Sequence, residues 1–235
     1  MIRAVRMDCI LGPSNRVGND FRTAGWASCI LDTSDTDEAS DHPTNQRLSY
    51  PGLYNVKAVL GEIIYKLPKY GTKMKLNIAW LDYLVYMSIV GNYRAGNCEV
   101  MNSMLLIRLM LMAIRQNNPK IEKIELIDAN CSMHFFIRLT LRDADGAQQA
   151  FPIDAYENVI AQFHELESRY AHLYGQYQGV YKPTSLSLTL AQSEEFLNCV
   201  AYFNHSAIPC FKAKLHETYP DIPIELQAIE LPRIE

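Results

Sequence analysis

The sequence predicts an α+β fold, in which a buried helix packs on a small antiparallel sheet and helical regions flank it on both sides. Three observations predict it. Residues 98–115 are apolar almost all round, which marks a helix buried over most of its circumference. From Ile121 the apolar residues alternate, and the alternation recurs in three consecutive segments, as strands require. Beyond Glu157 the helical spacing returns. The 235 residues are expected to form one α+β domain, with its core at about 76–160 and a helical C-terminal region at about 157–220.

Taken in order, an apolar start from Met1 to Leu31 leads into a polar stretch, Asp32 to Pro51. There Asp32, Asp35, Asp37, Glu38 and Asp41 face a single Arg47, so a mobile acidic loop is expected at about 32–51. Two helices follow, Tyr54–Tyr65 and Leu76–Val90. Val56, Val59, Leu60, Ile63 and Ile64 repeat at helical spacing, as do Trp80, Leu81, Leu84 and Val85. Gly91 to Asn97 reads as a loop that delivers the chain to Cys98, and Asn117-Asn118-Pro119 ends the helix that starts there.

Strands are expected at Ile121–Asp128, Met133–Arg142 and Gln148–Ala155, with a turn at Asp143–Gly146. Glu157–Tyr177 and Ser193–Tyr219 read as helical, broken by Gly175, Gly179, Pro183 and Pro209.

Charge and cysteine usage narrow the classes of function. Twenty-two basic and 26 acidic residues give a net charge of -4. No run of Lys and Arg interleaved with aromatics provides a nucleic-acid surface. No stretch is apolar for the ~18 residues a membrane span needs, and residues 1–11 lack the pattern of a cleavable signal peptide. The six cysteines are scattered without a C-x-x-C pair, which suits reduced thiols in a cytosolic environment better than a disulfide framework or a zinc site. No metal site and no cofactor is expected.

The chemistry-bearing candidates are Cys98, His134 and Asp154. Cys98 opens the most buried helix, where unpaired N–H groups and the macrodipole favour a thiolate, and its own N–H is free to hold an oxyanion. His134 shares a strand face with Phe136, Arg138 and Thr140, opposite the apolar set Phe135, Ile137, Leu139 and Leu141. Asp154 sits among apolar residues on the next strand, where an unpartnered carboxylate is costly. Register decides whether the two meet. A three-residue loop between Asp143 and Ala147 sets Asp154 opposite Phe136, on the face of His134; a two-residue Asp145-Gly146 loop sets it opposite Ile137, pointing away. Asn92, Asn97 and Asn77 are candidate side-chain donors to an oxyanion.

This order of elements resembles the transglutaminase-like and papain-like cysteine enzymes, over roughly residues 91–157. Gly96-Asn97-Cys98, His134-Phe135-Phe136 and Asp154-Ala155-Tyr156 look like the Gly-Asn-Cys, His-x-Phe and Asp-aromatic elements of bacterial toxins and effectors with that core. The pattern departs in having Glu99 directly after the cysteine rather than a glutamate two residues on. Arg94 to Cys98 also resembles, more weakly, the Arg-Gly-Gly-x-Cys of arylamine N-acetyltransferases. The resemblance implies a Cys-His-Asp triad acting on an amide, as protease, glutamine deamidase or transglutaminase, without a cofactor. It further implies a protein substrate, and an exported effector at work in a host cytosol.

The alternatives are a non-catalytic, protein-binding effector on the same fold and a coenzyme A dependent N-acyltransferase. Tyr170, Tyr174, Tyr177, Tyr181, Tyr202 and Tyr219 would supply the binding surface of the former. Cys131 is the competing nucleophile, but it lacks a helix terminus behind it. Met101, Met104, Met110 and Met112 read as core filling, and His164, His172, His205 and His216 as surface or rim residues.

Overall fold

The computed structural model describes residues 1–8, 53–64, 66, 78–93, 98–129, 134–156, 158–162, 165 and 181–231. Its helices are α1 (Ile2–Asp8), α2 (Leu53–Ile64), α3 (Ile78–Tyr93) and α4 (Cys98–Gln116). Strands follow as β1 (Ile121–Ala129), β2 (His134–Arg142), β3 (Gln148–Asp154), β4 (Val159–Ile160) and β5 (Tyr181–Thr189). Helix α5 (Ser193–Tyr202), a π-helical turn (Phe203–Ala207) and α6 (Ile208–Thr218) follow. Segregated helices and an antiparallel sheet make this an α+β protein.

The chain groups into two compact units, where the sequence predicts one domain. The first holds residues 1–6 and 98–194, the second 7–97 and 195–231. The expected core of 76–160 is thus divided, with 98–160 in the first unit and 76–97 in the second.

In the first unit all five strands pair antiparallel in the order β4-β3-β2-β1-β5, and α4 packs across β1 and β2. Helix α4 buries Val100, Met101, Met104, Leu105, Leu106, Ile107 and Met110, which explains an apolar character that extends past one stripe. It stops as expected, with Asn117 at φ 42 in the left-handed region that asparagine tolerates. One sheet face carries Ile127, Ala129 and Phe136, which cluster with Val159, and Tyr181 meets Phe136 edge-on at 5.5 Å.

The register of β2 on β3 is the one that puts Asp154 on the face of His134. Arg142 pairs with Gln148 and Ile137 with Ile153, so Asp154 falls opposite Phe136. The loop between Asp143 and Ala147 is three residues long. Gly146 adopts φ 82 and donates to the Asp143 carbonyl at 3.1 Å, while the Asp143 carboxylate accepts from Asp145 N and Ala147 N. This left-handed glycine at the last loop position is the device that three-residue hairpins use.

In the second unit α2 packs against α3 and α6. Trp80 meets Phe196 edge-on at 5.2 Å, and Phe203 meets Phe211 at 5.7 Å. Lys57 pairs with Asp82 at 2.9 Å and lies over the Tyr86 ring. Downstream of α6 the extended chain is tied down twice. Asn204 brackets Ile229 through both its N–H and its carbonyl, and Gln227 N donates to the Ser88 carbonyl.

Several boundaries depart from expectation. Gly91, Asn92 and Tyr93 continue α3 rather than forming a loop. The C-terminal region is not helical throughout 157–220, since it contributes β4 and β5. Pro183 and Gly179 read as breakers, yet Pro183 lies within β5, which stands at the end of the strand order, the place in a sheet where proline is tolerated. Pro209 does not break the helix either: the π-helical turn Phe203–Ala207 runs directly into α6, with Ala207 and Ile208 both in the right-handed helical region and Ile208 N donating to the Phe203 carbonyl. The acidic stretch 32–51 lies outside the described residues.

Candidate active site

Three elements of the first unit converge on one imidazole. Helix α4 begins at Cys98, strand β2 begins at His134 and strand β3 ends at Asp154. The His134 Nε2–H donates to Asp154 Oδ2 at 2.7 Å. The same ring interacts with the side chain of Cys98, which contributes to its pKa. With Nε2 taken by the carboxylate, Nδ1 is the nitrogen left for sulfur. The structure therefore brings together all three residues that the sequence singles out.

Burial makes this contact consequential. His134 is 2% exposed and Asp154 fully buried, while Cys98 is half-buried. Burial alone pushes the imidazole toward its neutral form. Hydrogen bonds to Asp154 and Cys98, reinforced by the negative charge of both, override it and raise the His134 pKa to about 10. The shift favours the protonated form of the ring. Tyr156 stands edge-on to it, with 5.6 Å between ring centres.

The carboxylate is anchored as firmly as it is buried. Asp154 Oδ1 accepts from Tyr156 N at 2.9 Å and from Asn102 Nδ2 at 3.0 Å, which leaves Oδ2 for the histidine. Arg6 of α1 donates through Nη1 to the carbonyls of Ala155 and Tyr156, at 3.2 and 2.9 Å, and so holds the turn that follows Asp154. Neither Asn102 nor Arg6 is among the residues that the sequence singles out. Asn102 has a readable signal, a polar residue one turn after Cys98 in a largely apolar helix. Arg6 has none, because it lies about 150 residues from its partners.

Further along the His134 face the sheet becomes polar. Arg138 donates to the buried Glu125 at 2.9 Å across the β1–β2 pair, and Lys123 lies 2.6 Å from the same carboxylate. Of the expected oxyanion donors, Asn97 and Asn77 lie outside the described residues, and Asn92 belongs to helix α3 in the second unit. Cys131, His164 and His172 also lie outside them. His205 and His216 are exposed, and Met101, Met104 and Met110 fill the core while Met112 is half-buried.

Among the described residues no group of three His, Cys, Asp or Glu side chains is arranged to hold a metal ion, and no helix is long and apolar enough to cross a membrane. Fold and site together define an α+β protein with an imidazole held between a helix-terminal thiol and a buried carboxylate. Compared with known proteins, the chain matches no family model, no curated protein and no solved structure.

Proposed function

We propose that the protein is a cysteine-dependent acyl-transfer enzyme acting on an amide, with Cys98 as nucleophile, His134 as acid and base, and Asp154 as the group that orients the imidazole. The observation that carries this reading is the buried imidazole bonded to Asp154 Oδ2 and in interaction with the Cys98 side chain at the start of α4. A helix start beneath the sulfur and an imidazole beside it are the setting in which a thiol serves as nucleophile.

In the first step the thiolate attacks the amide carbonyl and forms the C–S bond, and the carbonyl oxygen takes up the negative charge. The Cys98 N–H, among the first four of the helix and so without an intrahelical acceptor, is placed to donate to that oxygen. As the C–N bond breaks, the His134 imidazolium gives its proton to the leaving amine. The neutral imidazole then removes a proton from the second nucleophile, which displaces sulfur and restores the thiolate–imidazolium pair. Water as that nucleophile gives hydrolysis or deamidation, and an amine gives transamidation.

Thiol labelling tests the nucleophile. Cys98 should alkylate selectively at neutral pH, faster than the exposed Cys210, and the advantage should vanish in His134→Ala. Equal rates for the two thiols would leave the non-catalytic binder. Intact-mass analysis of protein substrates treated with wild type and Cys98→Ala then separates the reactions. A gain of about one dalton means deamidation, a larger gain means conjugation, and fragments mean proteolysis. Acylation of Cys98 by an acyl-coenzyme A alone would instead mark the acyltransferase. The papain- and transglutaminase-like core, and an effector role with a host protein as substrate, rest on the resemblance of the three short elements.

A further inference from the structure

Asn102 lies four residues after Cys98, one turn along α4 and on the same side of the helix. It is fully buried. Its Nδ2 donates to the carbonyl of Phe135, the residue after His134, at 2.7 Å and to Asp154 Oδ1 at 3.0 Å. Its Oδ1 accepts from the N–H of Ala155, the residue after Asp154, at 2.8 Å. The partners dictate the orientation of the amide, since a backbone N–H requires the oxygen and a backbone carbonyl requires the nitrogen.

We infer that Asn102 is a positioning residue for the acyl transfer proposed above: its amide ties helix α4 to strands β2 and β3 beside His134 and Asp154, and turns Asp154 Oδ2 toward the imidazole. A buried carboxylate with one free oxygen rotates to whatever donor is nearest. Pinning Oδ1 with the Asn102 amide and the Tyr156 N–H leaves one orientation, in which Oδ2 meets Nε2. The same amide fixes the separation of the three elements that carry sulfur, imidazole and carboxylate. Only a side chain with two donors and an acceptor in one plane serves all three partners at once. Leucine has the size without the groups, and serine has a hydroxyl without the reach.

The decisive measurement is the titration of the His134 ring by NMR in the full-length protein, together with the rate of Cys98 alkylation. Wild type should titrate near 10. Asn102→Leu should move the midpoint toward 6.5 by about one unit or more and slow Cys98 alkylation at neutral pH by about tenfold. Asn102→Ser, which leaves room for water, should move both in the same direction by less and serves if the leucine variant does not fold. Leu106→Ala is the control: it loosens the same buried helix without touching a polar group, and should leave the titration where it was.

A folded Asn102 variant whose His134 titration is unchanged or raised would overturn the inference. So would an equal shift in Leu106→Ala. Wild-type Cys98 that reacts no faster than Cys210 would instead end the acyl-transfer reading, and with it any positioning role for Asn102. A reactive Cys98 beside a titration indifferent to residue 102 ends the Asn102 inference alone.

Discussion

Burial of the His134 charge is outweighed by its contacts with Asp154 and Cys98, which raise its pKa to about 10. Two consequences belong to this residue. Under the proposed acyl transfer, amide turnover needs the imidazolium to protonate the leaving amine, so its rate should fall as pH rises through about 10. Alkylation of Cys98 needs only the thiolate and should not fall there. Parallel pH profiles of the two reactions check this, and a shared alkaline decline would contradict it. Asp154→Asn exchanges the carboxylate for a neutral amide of the same shape. It should return the His134 titration toward 6.5 and lower turnover by about a thousandfold or more, as loss of the orienting carboxylate does in comparable triads. Both readouts are needed, since a variant that only unfolds would lose turnover without a titratable native histidine.

At the scale of elements, the β2–β3 hairpin shows how a turn far from the chemistry sets it. Its loop lies at the opposite end of β2 from His134, yet the parity of that loop decides which face Asp154 occupies. Gly146 at φ 82 has nothing within 4 Å of where a Cβ would sit, so Gly146→Ala meets backbone strain alone. It should cost about 1 kcal/mol in urea unfolding and leave Cys98 alkylation unchanged. A large drop in alkylation would mean that the register slips when the turn is strained. In the second unit, Asn204→Ala removes both hydrogen bonds to Ile229 and should cost about 1–2 kcal/mol. Amide exchange at Ile229 reads the effect directly: faster exchange is expected, and unaltered protection would show that other contacts hold this segment.

For the molecule as a whole, the His134 proton couples stability to pH. The pKa is raised on folding, so between about 6.5 and 10 the native state binds a proton that the unfolded chain lacks. That contribution is complete below 6.5 and is lost as pH climbs through 10. Thermal unfolding of wild type should therefore decline between pH 7 and 10.5 by more than that of His134→Gln, whatever the absolute stability of the variant. Identical declines would mean that the ring is neutral in the native protein at pH 7.

Much of this is readable from the sequence, and the particular residues show why. The three central strands and α4 follow from periodicity, because alternation and all-round apolarity are local consequences of burial. Cys98, His134 and Asp154 stand out because each has a local oddity: a thiol at a helix start, an imidazole on a strand, a carboxylate among apolar residues. Strand β5 is hidden, because Pro183 and Gly179 signal a break in any local reading and only the place of β5 at the end of the strand order makes the proline harmless. Asn102 shows locally only as a polar residue in a largely apolar helix, which does not name its partners, and Arg6 acts on groups about 150 residues away that no local pattern announces. The hairpin register lies between these extremes. The sequence by itself narrowed it to two loop lengths, and with them to two opposite faces for Asp154. Only the folded hairpin chose one, because strand pairing is a contact between segments, and its free energy depends on what each segment meets and not on what each contains.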